Sequence, residues 1–541
     1  MISSVASRGV QMPSRRTLLA TTLASAAAGL VAPVATFAAV VPSRSARVAL
    51  VIGNDRYAQH PLRNAGNDAR AMAELLKSAG FRVDLRVDAT LRQMSDAIDA
   101  LGRAAIDPGV GTTLFYYAGH AAQVEWRNYL LPVDGDVASA SDVRRQCVDL
   151  GLLLGRLGRT RGKTSLIILD ACRSDPFGAH YRPSEPGMSQ YDAPAGSLLA
   201  FATSPGRTAV ELPGSDHGLY TENLIRELSV RGARIEDALK RVRLSVRLAS
   251  RGAQVPWEST SLENDVYLFP APTLTDAEVE RRFRDEYANW TRIKTSGNPN
   301  DWIDYLRTYP DGKFAEVAQV HLTRLLSADQ TPVAKKSDAS ATALRIGPGI
   351  AVPERFRRPP RNPNSAGTYP FRPVWTPGDE YVFQEMDLYS KVVQRTIHLV
   401  VKRVDLAGNR VELADGSVID LTGGVLREGT GRHYDLPIQI NPSELQVGRK
   451  WSTRYEQSGA VSGFGDYEFR VKARETVKVP AGEFSAFRIE GLGWFARSGT
   501  GNQRLHMVRW LVPGINFAVR REQRQTSSLR VLVSVRQAVS N

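Results

Sequence analysis

The chain predicts an α/β domain, a sheet with helices on both faces, followed by an α-helical hairpin and a C-terminal antiparallel β sandwich or open barrel. Three observations lead there. Residues 46–270 alternate strand-like and helix-like patterns, the order from which parallel sheets are wound. From about 372 to the end the apolar period drops to two, with Gly, Asn, Asp or Pro turns between the runs, as in antiparallel sheets. Two strand-like runs, "LFYYAGHAAQ" at 114–123 and "SLIILDACRSDPF" at 165–177, each end abruptly in one reactive side chain, His120 and Cys172.

Composition sets the outer bounds. A chain of 541 residues exceeds one ordinary domain. With 42% apolar and 23% charged residues it has the make-up of a globular protein. Its two cysteines, Cys147 and Cys172, give neither a disulfide framework nor C-x-x-C spacing, and its eight histidines are scattered. No metal site and no cofactor are therefore expected. No Gly-rich phosphate loop of the GxGxxG or GxxxxGK type follows a strand, which speaks against a nucleotide-binding domain.

The first 38 residues are expected to be an address and not fold. Arg15 and Arg16, with Ser14 before them and an apolar, Ala-rich stretch after them, resemble a Tat-type export signal with a cleavage site at Ala38. The mature protein would begin near Ala39 and be exported to the periplasm. The alternative is anchoring to the inner membrane by an uncleaved helix, since 17–38 is nearly long enough to span. The formal charge is +14, of which three positive charges lie within residues 1–38, and 331–373 hold eight Lys or Arg against two acids. That basic stretch lacks interleaved aromatics, so it reads as a solvated linker and no nucleic-acid partner is expected.

Along 46–270 the strands are "RVALVIG", "FRVDLRV", "TTLFYYA", "TSLIILD" and "GSLLAFAT", with "DVYLF" as a short closing strand. Between the first two, "NDARAMAELLKSAG" puts Met72, Leu75, Leu76 and Ala79 on one helical face, opens on a capping Asn67 or Asp68, and stops at Gly80. Two amphipathic helices, "YTENLIRELSV" and "IEDALKRVRLSVRLAS", follow the fifth strand. Residues 274–328 carry an apolar stripe at helical spacing, broken by "SGNPND", which predicts a hairpin whose aromatics are core. Residues 329–371, with "TPVAKKSDASATA" and "RFRRPPRNPNSAG", read as a Pro-rich basic linker. The β-rich domain at 372–541 shows no catalytic grouping, and the roles left to it are spacing or binding, with an envelope partner as the candidate.

A thiol becomes a nucleophile as its thiolate, so Cys172 needs a nearby imidazole. Two parallel strands ending side by side would bring Cys172 and His120 to the carboxyl edge of the sheet, where ligands bind in open α/β folds. Cys147 lies in a polar stretch and reads as structural.

At these residues the chain resembles the caspase and metacaspase family of cysteine peptidases, in its bacterial caspase-like branch. "ALVIGNDRY" resembles the family's first strand, "PLRNAGNDARAM" the loop and helix after it, "FYYAGHAAQ" the histidine block, "LDACRSDPF" the nucleophile block, and "LLAFATSPGRTA" and "QVPWESTSL" the smaller-subunit half. The resemblance covers about 46–270 and implies the caspase-haemoglobinase-like sheet. It implies that Cys172 attacks a scissile peptide carbonyl, that His120 passes the proton to the leaving amine, and that the backbone N–H groups of Cys172 and Ala121 hold the oxyanion. Where the family has "GHG" this chain has "GHA", and Ala121 adopts positive φ less readily than glycine. The resemblance also places Asp68 and Asp170 in the primary pocket, where two carboxylates favour an arginine or lysine side chain. Asp68 has the alternative of a helix N-cap, and Arg63 lies where caspases keep an arginine for acidic substrates. The expected partner is a peptide or protein substrate. The alternative function is a catalytically weak or inactive envelope scaffold that binds peptides or proteins.

Overall fold

The computed structural model describes residues 45–158, 162–171, 187–205, 215–270, 274–328, 344–359, 361–406, 408–459, 461–497 and 501–537. The leader at 1–38 and the nucleophile candidate Cys172 lie outside the described residues.

The chain runs through β1 (Ala46–Gly53), α1 (Ala65–Ser78), β2 (Phe81–Val87), α2 (Leu91–Ile106) and β3 (Val110–Ala118). It continues with β4 (Ala121–Val124), β5 (Arg127–Leu130), α3 (Ala140–Gln146), β6 (Val148–Asp149), α4 (Leu150–Leu157), β7 (Thr164–Asp170) and β8 (Ser197–Phe201), and then α5 (Leu219–Leu228), α6 (Ile235–Ala249) and β9 (Trp257–Thr260). The main sheet has the order β2-β1-β3-β7-β8-β9. Neighbours pair in parallel except β8 and β9, which are antiparallel. Its central strands are unbroken apolar runs because helices cover both faces. Phe115, Tyr117, Ile167 and Leu169 pack towards α2 and α4, and Leu114, Tyr116, Leu166 and Ile168 towards α1, α5 and α6. A separate three-stranded sheet, β4-β5-β6, grows out of the end of β3.

Two local readings need correction. Helix α1 begins at Ala65, with Asn64 at the N-cap, so neither Asn67 nor Asp68 caps it; it ends before Gly80 as predicted, where φ is 82°. The closing strand is Trp257–Thr260 and not "DVYLF", whose Tyr267 makes only an isolated bridge to Arg234. β9 wins because it pairs Trp257 with Phe201 and turns Trp257 and Ser259 inward in alternation, while Leu268 drops into the core instead of extending an edge.

Residues 276–328 form three helices where the apolar spacing predicts a hairpin: α7 (Asp276–Ile293), α8 (Pro299–Thr308) and α9 (Ala315–Ala328). The added break is "YPDGK", where Tyr309 leaves helical geometry at φ −126° and ψ 65°. The aromatics are core, as their spacing predicts, with Trp290 and Phe314 stacked at 4.8 Å between ring centroids.

The described part of the expected linker is built into the fold. β10 (Leu344–Ile346) pairs with the last strand of the chain, and α10 (Glu354–Arg357) buries Phe356. Beyond it Asn362 Nδ2 donates to Gln190 O at 2.7 Å, and Asp192 accepts from Ser365 Oγ at 2.7 Å and Ala366 N at 2.8 Å. The proline and arginine content hides five buried apolar anchors, Leu344, Ile346, Val352, Phe356 and Phe371, that no regular period links.

The β-rich domain comprises β11 (Tyr369–Pro370), β12 (Glu380–Asp387), β13 (Val393–Asp405), β14 (Arg410–Leu413), β15 (Val418–Ile419), β16 (Val425–Arg427), β17 (His433–Ile438), β18 (Glu444–Leu445), β19 (Lys450–Ser458), β20 (Gly463–Val479), β21 (Gly482–Arg497), β22 (Asn502–Leu511), β23 (Arg520–Gln523) and β24 (Ser528–Gln537). It is antiparallel, as the period-two pattern predicts, and its ring closes, because β24 pairs with β23 on one side and β12 on the other. β11 and β18 pair with each other outside the 12-stranded ring. A buried ion pair links the barrel to α9: Arg449 Nη2 lies 2.8 Å from Glu316 Oε1, and each side chain is 9% exposed. Burial works against the Glu316 charge, but Arg449 and the Ser443 N–H outweigh it and hold the carboxyl below its usual range. Among the described residues no helix is long and apolar enough to cross a membrane.

Limited trypsin digestion is expected to spare the bonds after Arg355 and Arg357, because the backbone there is held by α10 and its buried Phe356. Early cutting at these arginines, followed by peptide mapping, would show the segment to be a free linker after all.

Candidate active site

The site begins with strand register. β3 and β7 are neighbours in the sheet, and Ala118 pairs with Asp170 at their carboxyl ends. His120 and Cys172 each follow two residues later in sequence. The last described residue before Cys172, Ala171, is buried, and Gly119 N donates to Asp170 O at 3.3 Å. Gly119 is required by crowding, since a Cβ there would lie 2.6 Å from the hydroxyls of both Tyr57 and Tyr117.

His120 is 3% exposed and held from three sides. Its Nε2 is 2.7 Å from His60 O, and the Tyr57 ring packs on the imidazole with 4.5 Å between centroids. A carbonyl oxygen only accepts, so Nε2 carries the proton and Nδ1 is the nitrogen left to take one. The backbone is fixed by hydroxyls. Leu131 N donates to His120 O at 3.0 Å, but the return ladder bond is replaced by Tyr57 Oη, which accepts from His120 N at 3.0 Å and lies 3.2 Å from Leu131 O. Tyr117 Oη donates to His120 O at 2.7 Å.

Ala121 opens β4 and pairs with Leu130. Because the His120–Leu131 pair carries the ladder bond, the next pair is of the non-hydrogen-bonded kind, and the Ala121 N–H points away from β5. Its φ is not among the positive values, so the "GHA" sequence imposes no backbone strain at this position.

Asp68 and Asp170, the two carboxylates expected to meet a substrate, are both buried and close enough to repel each other. Asp170 Oδ2 accepts from Thr221 Oγ1 at 2.7 Å, and Thr221 Oγ1 lies 2.6 Å from Tyr116 Oη. Asp68 Oδ1 meets His217 Nδ1 at 2.9 Å, and both its oxygens lie 3.2 Å from the N–H of Gly218, the N-cap residue of α5. Asp68 thus serves the start of α5 and not that of its own helix. Burial first, then the Asp170 carboxylate, push the Asp68 carboxyl up to about 7. Arg63 is exposed in the loop between β1 and α1.

Residues 46–267 match the family model of the caspase domain. This segment is a caspase domain. The family is one of cysteine peptidases. No curated protein matches the chain at a significant level.

Within the caspase domain Cys147 is a free, buried thiol at the end of α3, packed against Tyr57, Tyr129 and Leu131, and burial raises its pKa to about 12. It is a structural residue, as its sequence context predicts. Among the described residues no group of His, Cys, Asp or Glu side chains could hold a metal. Sequence reasoning missed Tyr57, His60, His217 and Thr221. Tyr57 and His60 follow the first strand directly in "NDRYAQH", but only the folded chain shows that they face His120.

Removing the Tyr57 hydroxyl leaves the buried His120 N–H without its acceptor, a loss worth about 1–3 kcal/mol. Tyr57→Phe is therefore expected to lower stability by that amount in denaturant titrations. It should also reduce kcat more than it changes KM, because the imidazole loses its fixed position.

Proposed function

We propose that the caspase domain is an exported cysteine endopeptidase that cuts after Arg or Lys, with Cys172 and His120 as its dyad. One observation carries the reading: the Ala118–Asp170 pair puts the two strand ends in step, each two residues short of a reactive side chain. In this mechanism His120 Nδ1 takes the Cys172 thiol proton, and the thiolate attacks the scissile carbonyl carbon. The N–H groups of Ala121 and Cys172 receive the developing oxyanion. The imidazolium then gives its proton to the leaving amine, and a water deprotonated by the same imidazole releases the acyl group as a carboxylic acid. The outward-directed N–H of Ala121 and the acceptor at His60 support these roles. Ala121, the departure that spoke for an inactive scaffold, sits in strand geometry without strain. Twin arginines in the leader support export.

Cys172→Ala and His120→Ala are each expected to abolish hydrolysis of a peptide library while leaving the circular dichroism spectrum unchanged. Full activity in Cys172→Ala would remove the proposal.

Asp68 and Asp170 side by side support a cationic primary specificity. Because the Asp68 pKa is raised in the folded chain, the carboxyl is neutral below about 7 and charged above it, so its ionisation costs stability as pH rises. A bound guanidinium offsets that cost. The ratio of kcat/KM for Arg over Gln peptides, in which the titration of the nucleophile cancels, should rise by about tenfold between pH 6 and 8. Asp68→Asn should flatten this rise. Cleavage after Asp, abolished by Arg63→Ala, would show the opposite pocket.

A further inference from the structure

Inside the barrel one cross-strand row has an unusual composition. Arg509 on β22 pairs with Arg521 on β23, Arg521 with Arg530 on β24, Arg530 with Glu385 on β12, and Glu385 with Arg395 on β13. Directly opposed residues share one face of a sheet. From Arg509 to Glu385 that face is the interior: Tyr381 and Phe383, at the same phase of β12 as Glu385, are core residues, as are Leu505, Met507 and Leu511 at the phase of Arg509, while Arg395 at the end of the row is exposed.

The positive charge of this row exceeds what the interior neutralises. Glu385 is its only acid, and its oxygens are taken up by Arg530 and Arg395, each at 3.1 Å, and by Ser528 Oγ at 3.0 Å. Arg509 Nη1 donates to two neutral acceptors, Ile440 O and Asn441 Oδ1, both at 2.7 Å. Glu428, the next carboxylate to act on Arg521, is bound to the Tyr434 hydroxyl at 2.7 Å and paired with Arg432 at 3.5 Å. The Nε atoms of Arg509, Arg521 and Arg530 are buried and have no hydrogen-bond partner among the described residues. Burial first, then Arg530, works against the charge of Arg521.

Like charges opposed across a sheet destabilise it, and buried guanidinium groups need partners. We propose that Arg509, Arg521 and Arg530 form a binding site for a phosphate group, as inorganic phosphate or a phosphate monoester. Arg395 is solvent-exposed, so within the barrel three guanidinium groups face one carboxylate and leave two positive charges, which a phosphate dianion balances and a single carboxylate does not. Its oxygens also suit the planar fork of arginine. The site lies in the barrel and does not depend on the peptidase reading.

The test uses the full chain in phosphate-free buffer at constant ionic strength, with inorganic phosphate, glycerol 3-phosphate or acetate as probe. Phosphate is expected to raise Tm saturably and acetate to leave it unchanged; a tighter response to glycerol 3-phosphate would assign the site to an ester, an equal one to the free anion. Arg521→Met should abolish the phosphate response and melt no lower than the parent without phosphate, because it removes an unpaired buried charge. Arg521→Lys, which keeps the charge and loses the fork, should bind at least about tenfold more weakly, and carries the test if Arg521→Met does not fold. An equal phosphate response in parent and variants, or acetate acting as strongly as phosphate, would overturn the proposal.

Discussion

The parallel pairing of β3 with β7 is the constraint on which the caspase domain depends. Both strands are buried on both faces, so a one-residue slip would turn Phe115 and Ile167, or Leu114 and Ile168, to the wrong helix layer. Register is therefore locked by the core and not by the site. His120 follows a strand whose end cannot move relative to that of β7, and Cys172 comes two residues after Asp170 in sequence. The loop after β1 completes the arrangement, with a tyrosine hydroxyl standing in for a ladder bond and a carbonyl fixing the proton on the imidazole.

Buried like charges mark both ends of the molecule. In the caspase domain two buried carboxylates repel each other, and burial together with that repulsion raises one of them to about 7. In the barrel three arginines oppose one another across adjacent strands while the single glutamate in their row is already engaged. Each arrangement is costly in the empty protein and becomes favourable when a counter-charge enters. The signs are opposite, so the ligands proposed for them are too: a cationic side chain beside the carboxylates and an anion in the barrel. The ion pair of Arg449 with Glu316 is of another kind, balanced within the chain and fitted to hold the barrel on the helices.

Local signals were legible in the sequence and non-local ones were not. The apolar runs of β3 and β7, each followed in sequence by a reactive residue, pointed to the candidate site because period and burial are local properties of a strand. Tyr57 and His60 carried no such signal, since their role arises only when the loop folds over His120. The segment 344–371 read as linker because its prolines and arginines outnumber the five apolar residues that anchor it. Barrel closure rests on β12 pairing with β24, whose partners Glu385 and Arg530 are far apart in sequence, and no window of sequence contains both. The arginine row was hidden for the same reason, because alternation shows which residues share a face of a strand but not which face is inside.

The most direct test of the central claim is site mapping after the full chain reacts at neutral pH with a peptide carrying Arg before an electrophilic carbon. One adduct is expected, on Cys172, formed far more slowly in His120→Ala, with the buried Cys147 unmodified. An adduct on Cys147 instead, or a Cys172 adduct formed equally fast without His120, would contradict the dyad that the β3–β7 register supports.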